Sequence, residues 1–260
     1  MRAGKRFAYP YGYGRIFLCR GAKQVKAWYD LHIHSALSPC GDEEMTPNNV
    51  VMMAKLVGLD VIAVTDHNAC DNCEAFEKVA KEQGVTLLCG MELETSEEVH
   101  VVFLFPDAKS AKKFADYVDT RRFKFANDAD IYGRQLVLNE NDEIVGEEPN
   151  LLITATDIGI YETVALATEY GGVAFPAHID RPSHGAIQML GDVHEDMGFT
   201  AVEISTLASD EFVQSYRDRG YIILRNSDAH YLENLNEQTC NFVELEKVTA
   251  RAVLDKLAKR

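Results

Sequence analysis

Basic residues are scarce in this chain: 26 Lys and Arg stand against 41 Asp and Glu, a formal charge of −15. A surface that acidic repels phosphate backbones, which argues against a stable grip on long DNA or RNA. A small phosphate drawn in by a local positive centre such as a metal ion is still admissible. Cysteine is also thin, six in 260 residues, at positions 19, 40, 70, 73, 89 and 240, which does not suggest a disulfide-stapled secreted scaffold. No apolar run approaches the roughly 20 residues that a membrane span needs. The opening stretch MRAGKRFAYPYGYGRIFLCRGAKQ lacks the continuous apolar core of a secretion signal. A cytoplasmic protein with no membrane partner is expected, and no internal repeat or low-complexity tract is present.

Residues 1–26 read differently from the rest, with Gly4, Gly12, Gly14 and Gly21 among tyrosines and basic residues and no helical or strand period. A poorly ordered leader is expected there, or else a basic arm that touches substrate or a partner. From residue 27 to 260 a single domain is expected. Apolar β-rich runs fall at Trp28–Ile33, Val61–Thr65, Thr86–Met91, Val99–Phe105, Val173–Pro176, Thr200–Ile204 and Tyr221–Arg225. Helical patterns lie between them. Thr46 and Pro47 can cap and open one that stops at Gly58, and another runs from Cys73 to Gln83 before Gly84. Further helices are predicted over Ser110–Val118, Thr156–Tyr170, Glu211–Arg219 and Thr249–Lys259. Such alternation predicts an α/β fold with a parallel sheet, open or closed into a barrel. The stretch from Pro106 to Leu152 breaks the rhythm, and RQLVLNENDEIVGEE (Arg134–Glu148) reads as a hairpin within an insertion around 107–150, either a lid or a subunit contact.

The histidines carry the functional argument. His32 and His34 end the first strand, His67 follows the second, His100 begins the fourth, and His178 and His230 follow later strands. Glu92 leaves the third strand, and Asp228 lies two residues before His230. In parallel α/β sheets the C-terminal strand ends converge on one face. Strand alternation points His32 and His34 the same way, and Asp228 and His230 too if the chain there stays extended. Imidazoles and carboxylates gathered in one place suit divalent zinc, manganese or iron. A metal site is therefore predicted.

DLHIH, VTDHN, GMELET with VHVVFLF, PAHIDR and NSDAH, in this order, resemble the polymerase and histidinol phosphatase (PHP) family of metal-dependent phosphoesterases. The resemblance runs from about Tyr29 to the C-terminus, apart from the insertion. It implies a distorted (β/α)7, TIM-like barrel holding two to three divalent ions at the C-terminal face. Carried over by position, His32, His34, Glu92 and Asp228 would hold the first ion. Glu92 would bridge to a second, completed by His100 and His178, and His67 and His230 would take part in a third. The remaining ligand of that third site departs from the common pattern: Asp42 is the first choice and Cys40 the alternative.

Clustered ions of this kind lower the pKa of bound water from 15.7 toward about 7, so that hydroxide can attack phosphorus at neutral pH. The expected activity is hydrolysis of a small phosphate ester, a nucleotide or metabolite monoester, without a covalent intermediate. Trimming of short oligonucleotides is the alternative enzyme reading, and a non-catalytic metal-binding domain the third. Arg181, three residues after His178, is the expected grip on phosphoryl oxygens, with Arg134, His184 and His194 as weaker candidates. Asp66 is a candidate to shuttle a proton or orient an imidazole, or only to cap a turn. Asp30, on the expected face of His32 and His34, is a candidate orienting acceptor or a strand-end salt bridge. Cys70 and Cys73 form a C-x-x-C pair without a second pair to complete a zinc site, so buried cysteines at a helix start are expected, with Cys89 in the core.

Overall fold

The computed structural model describes residues 24–236 and 241–259. The expected leader therefore lies outside the described residues except at its end, where the first strand already begins at Val25. In chain order the elements are β1 (Val25–Ile33), α1 (Pro47–Leu56), β2 (Val61–Val64), α2 (Cys73–Gln83), β3 (Thr86–Glu94), β4 (His100–Phe105) and α3 (Ala108–Asp119). Then come α4 (Ala129–Tyr132), β5 (Leu136–Leu138), β6 (Ile144–Glu147), α5 (Thr163–Glu169), β7 (Val173–Pro176) and α6 (Ala186–Leu190). The chain continues with β8 (Ala201–Glu203), α7 (Asp210–Asp218), β9 (Ile222–Leu224), β10 (Phe242–Leu245) and α8 (Ala250–Leu257). Local signals act as their chemistry demands. Thr46 caps α1 by accepting from the Asn49 amide, Pro47 opens it, and Gly84 ends α2 in the left-handed region at φ 75°.

Six strands form one curled sheet in the order β10-β1-β2-β3-β4-β7, and β8 pairs with β9 in parallel beside it. Hydrogen bonds from Ile179 N to Glu203 O and from His34 N to Ala229 O tie that pair to the ends of β7 and β1. The expected parallel sheet is corrected at β4, which runs antiparallel to both β3 and β7, and at β10, which runs antiparallel to β1. Only the short turn from Thr95 to Val99 separates β3 from β4, too little chain for a parallel crossover. Reversal is what brings His100 to the functional rim: it pairs across the hairpin with Glu94, so the start of β4 lies beside the end of β3.

Alternate residues sort cleanly to two sides. Leu31, Ala63, Leu88, Val102, Phe175 and Leu224 pack inside the curl with Leu254 of α8. Ile62, Cys89, Phe103 and Ala174 pack outward with Phe76 and Phe114 of the helical layer. Continuing the inward series of β3 toward its C-terminus gives Gly90, Glu92 and Glu94, so an apolar floor carries a polar rim. β1 should break this parity, since Leu31 is inside and Ile33 outside. It does so through a register shift between Asp30 and Ile33. A bulge of this kind re-aims side chains. Asp30 therefore does not share a face with His32 and His34, contrary to simple alternation. Its carboxylate accepts from the backbone amides of Ser227 and His32.

At Gly90 a Cβ would stand 2.4 Å from the Phe103 carbonyl oxygen and 2.9 Å from Thr65 Cγ2. Gly90→Ala should destabilise the fold by roughly 2–3 kcal/mol, lowering Tm by about 5–10 °C in thermal unfolding. An unshifted Tm would show that the strands are looser here than described.

Two further expectations need adjusting. α3 stacks Phe114 on Phe103 at 4.4 Å between ring centroids, so it belongs to the helical layer and the excursion begins only after Asp119. The helix predicted over Thr156–Tyr170 is shorter, because Thr156 donates to Glu94 O and Ser96 to Ile158 O, holding that stretch extended against the rim. The predicted hairpin is present as β5 and β6.

Candidate metal centre

Eight of the nine ligands expected from the sequence converge on the inner rim; Asp42 does not. Glu92 lies at the centre, 1% exposed. Its Oε1 is 3.3 Å from His32 Nε2, 2.9 Å from His100 Nδ1 and 3.1 Å from His178 Nε2. Its Oε2 is 3.2 Å from both His34 Nε2 and His67 Nδ1. Asp228 Oδ1 completes a quartet, 3.3 Å from His32 Nε2 and 3.1 Å from His34 Nε2, with the two imidazole nitrogens 3.2 Å apart. His230 stacks on His34 at 4.1 Å, and His34, His67 and His230 form a further group of converging donors.

These spacings fit a cation. Donors bound tetrahedrally at 2.0–2.1 Å stand roughly 3.3 Å from one another, and His32 Nε2, His34 Nε2 and Asp228 Oδ1 stand 3.1–3.3 Å apart. Hydrogen bonding accounts for the contacts less well. His67 Nδ1, His100 Nδ1 and Asp228 Oδ1 are buried with no hydrogen-bond partner, although each lies near 3 Å from another donor atom. Buried polar atoms left in that state point to an ion among them.

The charges agree. Burial alone would depress His32, but Glu203, Glu92 and Asp228 lift it well above its ordinary value. His34, also opposed by burial, is raised to about 9 by its contacts with Asp228 and Glu92. Glu92 and Asp228 are held well below the usual carboxylate range despite burial, chiefly by His100 and His32 for the first and His32 and His34 for the second. Burial lowers His67 well below its normal value and brings His230 down to about 4. The pocket thus draws positive charge onto His32 and His34.

Two of the six non-glycine residues with positive φ among the described residues lie in this cluster: His178 has φ 28° and Asp228 φ 52°. Asp228 is therefore not extended, and it does not share a strand face with His230 by alternation. His230 is instead turned by its own Nδ1, which donates to the Asp228 carbonyl at 2.9 Å.

Asp42 is taken up by a turn: its carboxylate accepts from Glu44 N, and its amide donates to His230 O. Cys40 joins no donor group either, and its side chain lies exposed. Asp66 accepts from Ser35 N, Ser35 Oγ and Ser38 Oγ at 2.6–2.7 Å and reaches an imidazole only through Ser38. Arg181 donates from Nη1 to Asp228 Oδ2 and, with His184, lines a cavity of about 130 Å³ over His67, His100 and His230. His184 stacks on His100 at 4.3 Å. Arg134 pairs instead with Glu147 and Glu43, and His194 lies exposed at a distant turn. Cys70, Cys73 and Cys89 are buried, as expected of core thiols.

Sequence reasoning missed Glu203. From the end of β8 it accepts from His32 Nδ1 at 3.0 and 3.1 Å, the role expected of Asp30. That bond keeps the proton on Nδ1 and leaves Nε2 facing the quartet. An acid inside the apolar stretch TAVEIS was the available signal, since an unpaired carboxylate is rarely buried.

A curled α/β sheet with a His- and acid-lined rim is the class that fold and site define. The PHP-domain family profile matches residues 30–175, more than half of the chain, and the chain belongs to that family. It is 37% identical over 87 residues to an uncharacterised protein of Methanocaldococcus jannaschii, covering 30% of this chain and 51% of that one. It is 36% identical over 90 residues to a 5'-3' exoribonuclease of Haemophilus influenzae, covering 34% and 32% respectively. The chain thus spans about half or less of these relatives. Among solved structures, a lesion-specific endonuclease of Pyrococcus furiosus shares the fold at TM-score 0.67 and 19% identity, over 90% of this chain and 56% of that one. Among the described residues no helix is long and apolar enough to cross a membrane.

Proposed function

We propose that this protein is a metal-dependent phosphoesterase that hydrolyses a small phosphate ester, a nucleotide or metabolite monoester. The supporting observation is the His32–His34–Glu92–Asp228 quartet, whose donor atoms all lie within 4.8 Å of one another. Those four residues would hold one divalent ion, and Glu92, His100 and His178 a second, with His34, His67 and His230 suited to a third. Zinc, manganese and iron all match this donor set. When bound, such ions activate water and neutralise charge on the phosphoryl group. The strands β1–β4 and β7–β9 fit a distorted (β/α)7 barrel in this reading.

The chain's own residues do the remaining work. Glu203 holds the His32 proton on Nδ1. Arg181, bonded to Asp228 through one nitrogen only and with its side chain 41% exposed, can turn its other guanidinium edge to phosphoryl oxygens. Arg181→Ala should lower kcat/KM at least about tenfold. An unchanged value in steady-state assays would remove Arg181 from the mechanism.

The match to an exoribonuclease favours one second reading, removal of nucleotides from short oligonucleotides. Assays of a nucleoside monophosphate, a generic phosphodiester and a 5'-labelled oligonucleotide with manganese or zinc separate the two. Monoester turnover alone supports the first, and shortening of the oligonucleotide supports the second. Inactivity on all three at full metal loading leaves a binding domain without catalysis.

A further inference from the structure

The segment after α3 is fastened into the rim by buried asparagines. Asn72, fully buried, accepts from Leu138 N at 2.8 Å and donates to Leu136 O at 3.0 Å, both in β5. Its amide also donates to Ser35 Oγ at 2.9 Å. From there the bonds run inward. Ser35 Oγ donates to Asp66 Oδ2 at 2.6 Å, Ser38 Oγ donates to Asp66 Oδ1 at 2.7 Å, and Ser38 Oγ stands 2.9 Å from His34 Nδ1. Ser38 has one hydroxyl proton, and the carboxylate holds it. The hydroxyl must therefore accept from His34, which carries a proton on Nδ1 and leaves Nε2, facing Glu92 and Asp228, as the nitrogen that would take a metal. His67 N donates to the same Ser38 oxygen at 3.2 Å, so one hydroxyl fixes two of the converging histidines.

We propose that Asn72 and Ser38 are positioning residues that lock His34 for metal binding, making the β5–β6 hairpin a fixed part of the centre. This rests on the reading of His34 as a metal ligand. Asp66 acts in the same chain as the shared acceptor, fixing Ser35 and Ser38 rather than touching substrate. Ala36 O, which accepts from Leu136 N at 2.8 Å, adds a second fastening between the hairpin and the β1 loop.

The test compares zinc affinity, by competition with a chelator, in the full-length wild type, Ser38→Ala and Asn72→Ala, beside ring ¹⁵N spectra of the zinc-loaded proteins. Outer partners of ligating histidines are worth about 10–100-fold in metal affinity. Ser38→Ala, which deletes one oxygen, should weaken zinc by that amount and lose the exchange-protected Nδ1 proton of His34. Asn72→Ala should weaken zinc about tenfold while keeping that proton less well protected. If Asn72→Ala fails to fold, Ser38→Ala alone decides. Wild-type affinity and an unchanged His34 signal in Ser38→Ala overturn the proposal. Failure of the wild type itself to bind zinc would instead overturn the metal reading beneath it.

Discussion

Glu92→Gln should reduce kcat/KM on the order of 10³-fold or more and lower metal content at the same time. No other described carboxylate touches so many imidazoles: His32, His34, His67, His100 and His178 all lie within 3.3 Å of one of its oxygens. The amide is nearly isosteric, so the sheet should survive. Its neutral nitrogen, however, cannot bridge two cations, and its donors would face nitrogens that must present lone pairs. Elemental analysis beside steady-state kinetics checks both parts. Full metal content with wild-type turnover would remove Glu92 from the bridge.

Metal affinity should rise steeply with pH. His34 is raised to about 9 and His32 well above its ordinary value, so near neutrality each carries a proton that a metal must displace. Each displaced proton changes affinity about tenfold per pH unit, so two give up to about 100-fold between pH 7 and 8. Without metal the sign reverses. A histidine whose pKa is higher folded than unfolded stabilises the fold fully below about 6.5 and loses that contribution as pH rises through about 9. The metal-free protein should therefore melt lower at pH 9 than at pH 6, and metal should stabilise most at the alkaline end. Isothermal titration and thermal unfolding across this range measure both. A flat affinity profile would mean that His32 and His34 are neutral in the free protein.

Much of this centre is legible in the amino-acid sequence, for a physical reason. Side chains able to hold a metal are imidazole, carboxylate or thiolate, and strand ends lie together, so candidates such as His67 and Glu92 stand out by type and place. What governs their orientation is less visible. The bulge between Asp30 and Ile33 leaves no residue signature, yet it decides that Asp30 faces backbone amides while Glu203 meets His32. The antiparallel course of β4 is implicit in the few residues separating Glu94 from His100, a spacing that the strand–helix rhythm obscures. Asn72 and Ser38 are ordinary polar residues whose importance comes from having no water to bond to once buried. Asp42 shows the reverse case, a suitable ligand type near the site whose local turn supplies other partners.

Metal-loaded crystals of the full chain, with anomalous diffraction collected at the metal edge, test the central claim most directly. Two ions about 3.5–4 Å apart, bridged by Glu92 and flanked by His32, His34 and Asp228 on one side and His100 and His178 on the other, are the predicted result. A rim free of anomalous density at saturating zinc or manganese, with the same histidines hydrogen-bonded among themselves, would contradict it.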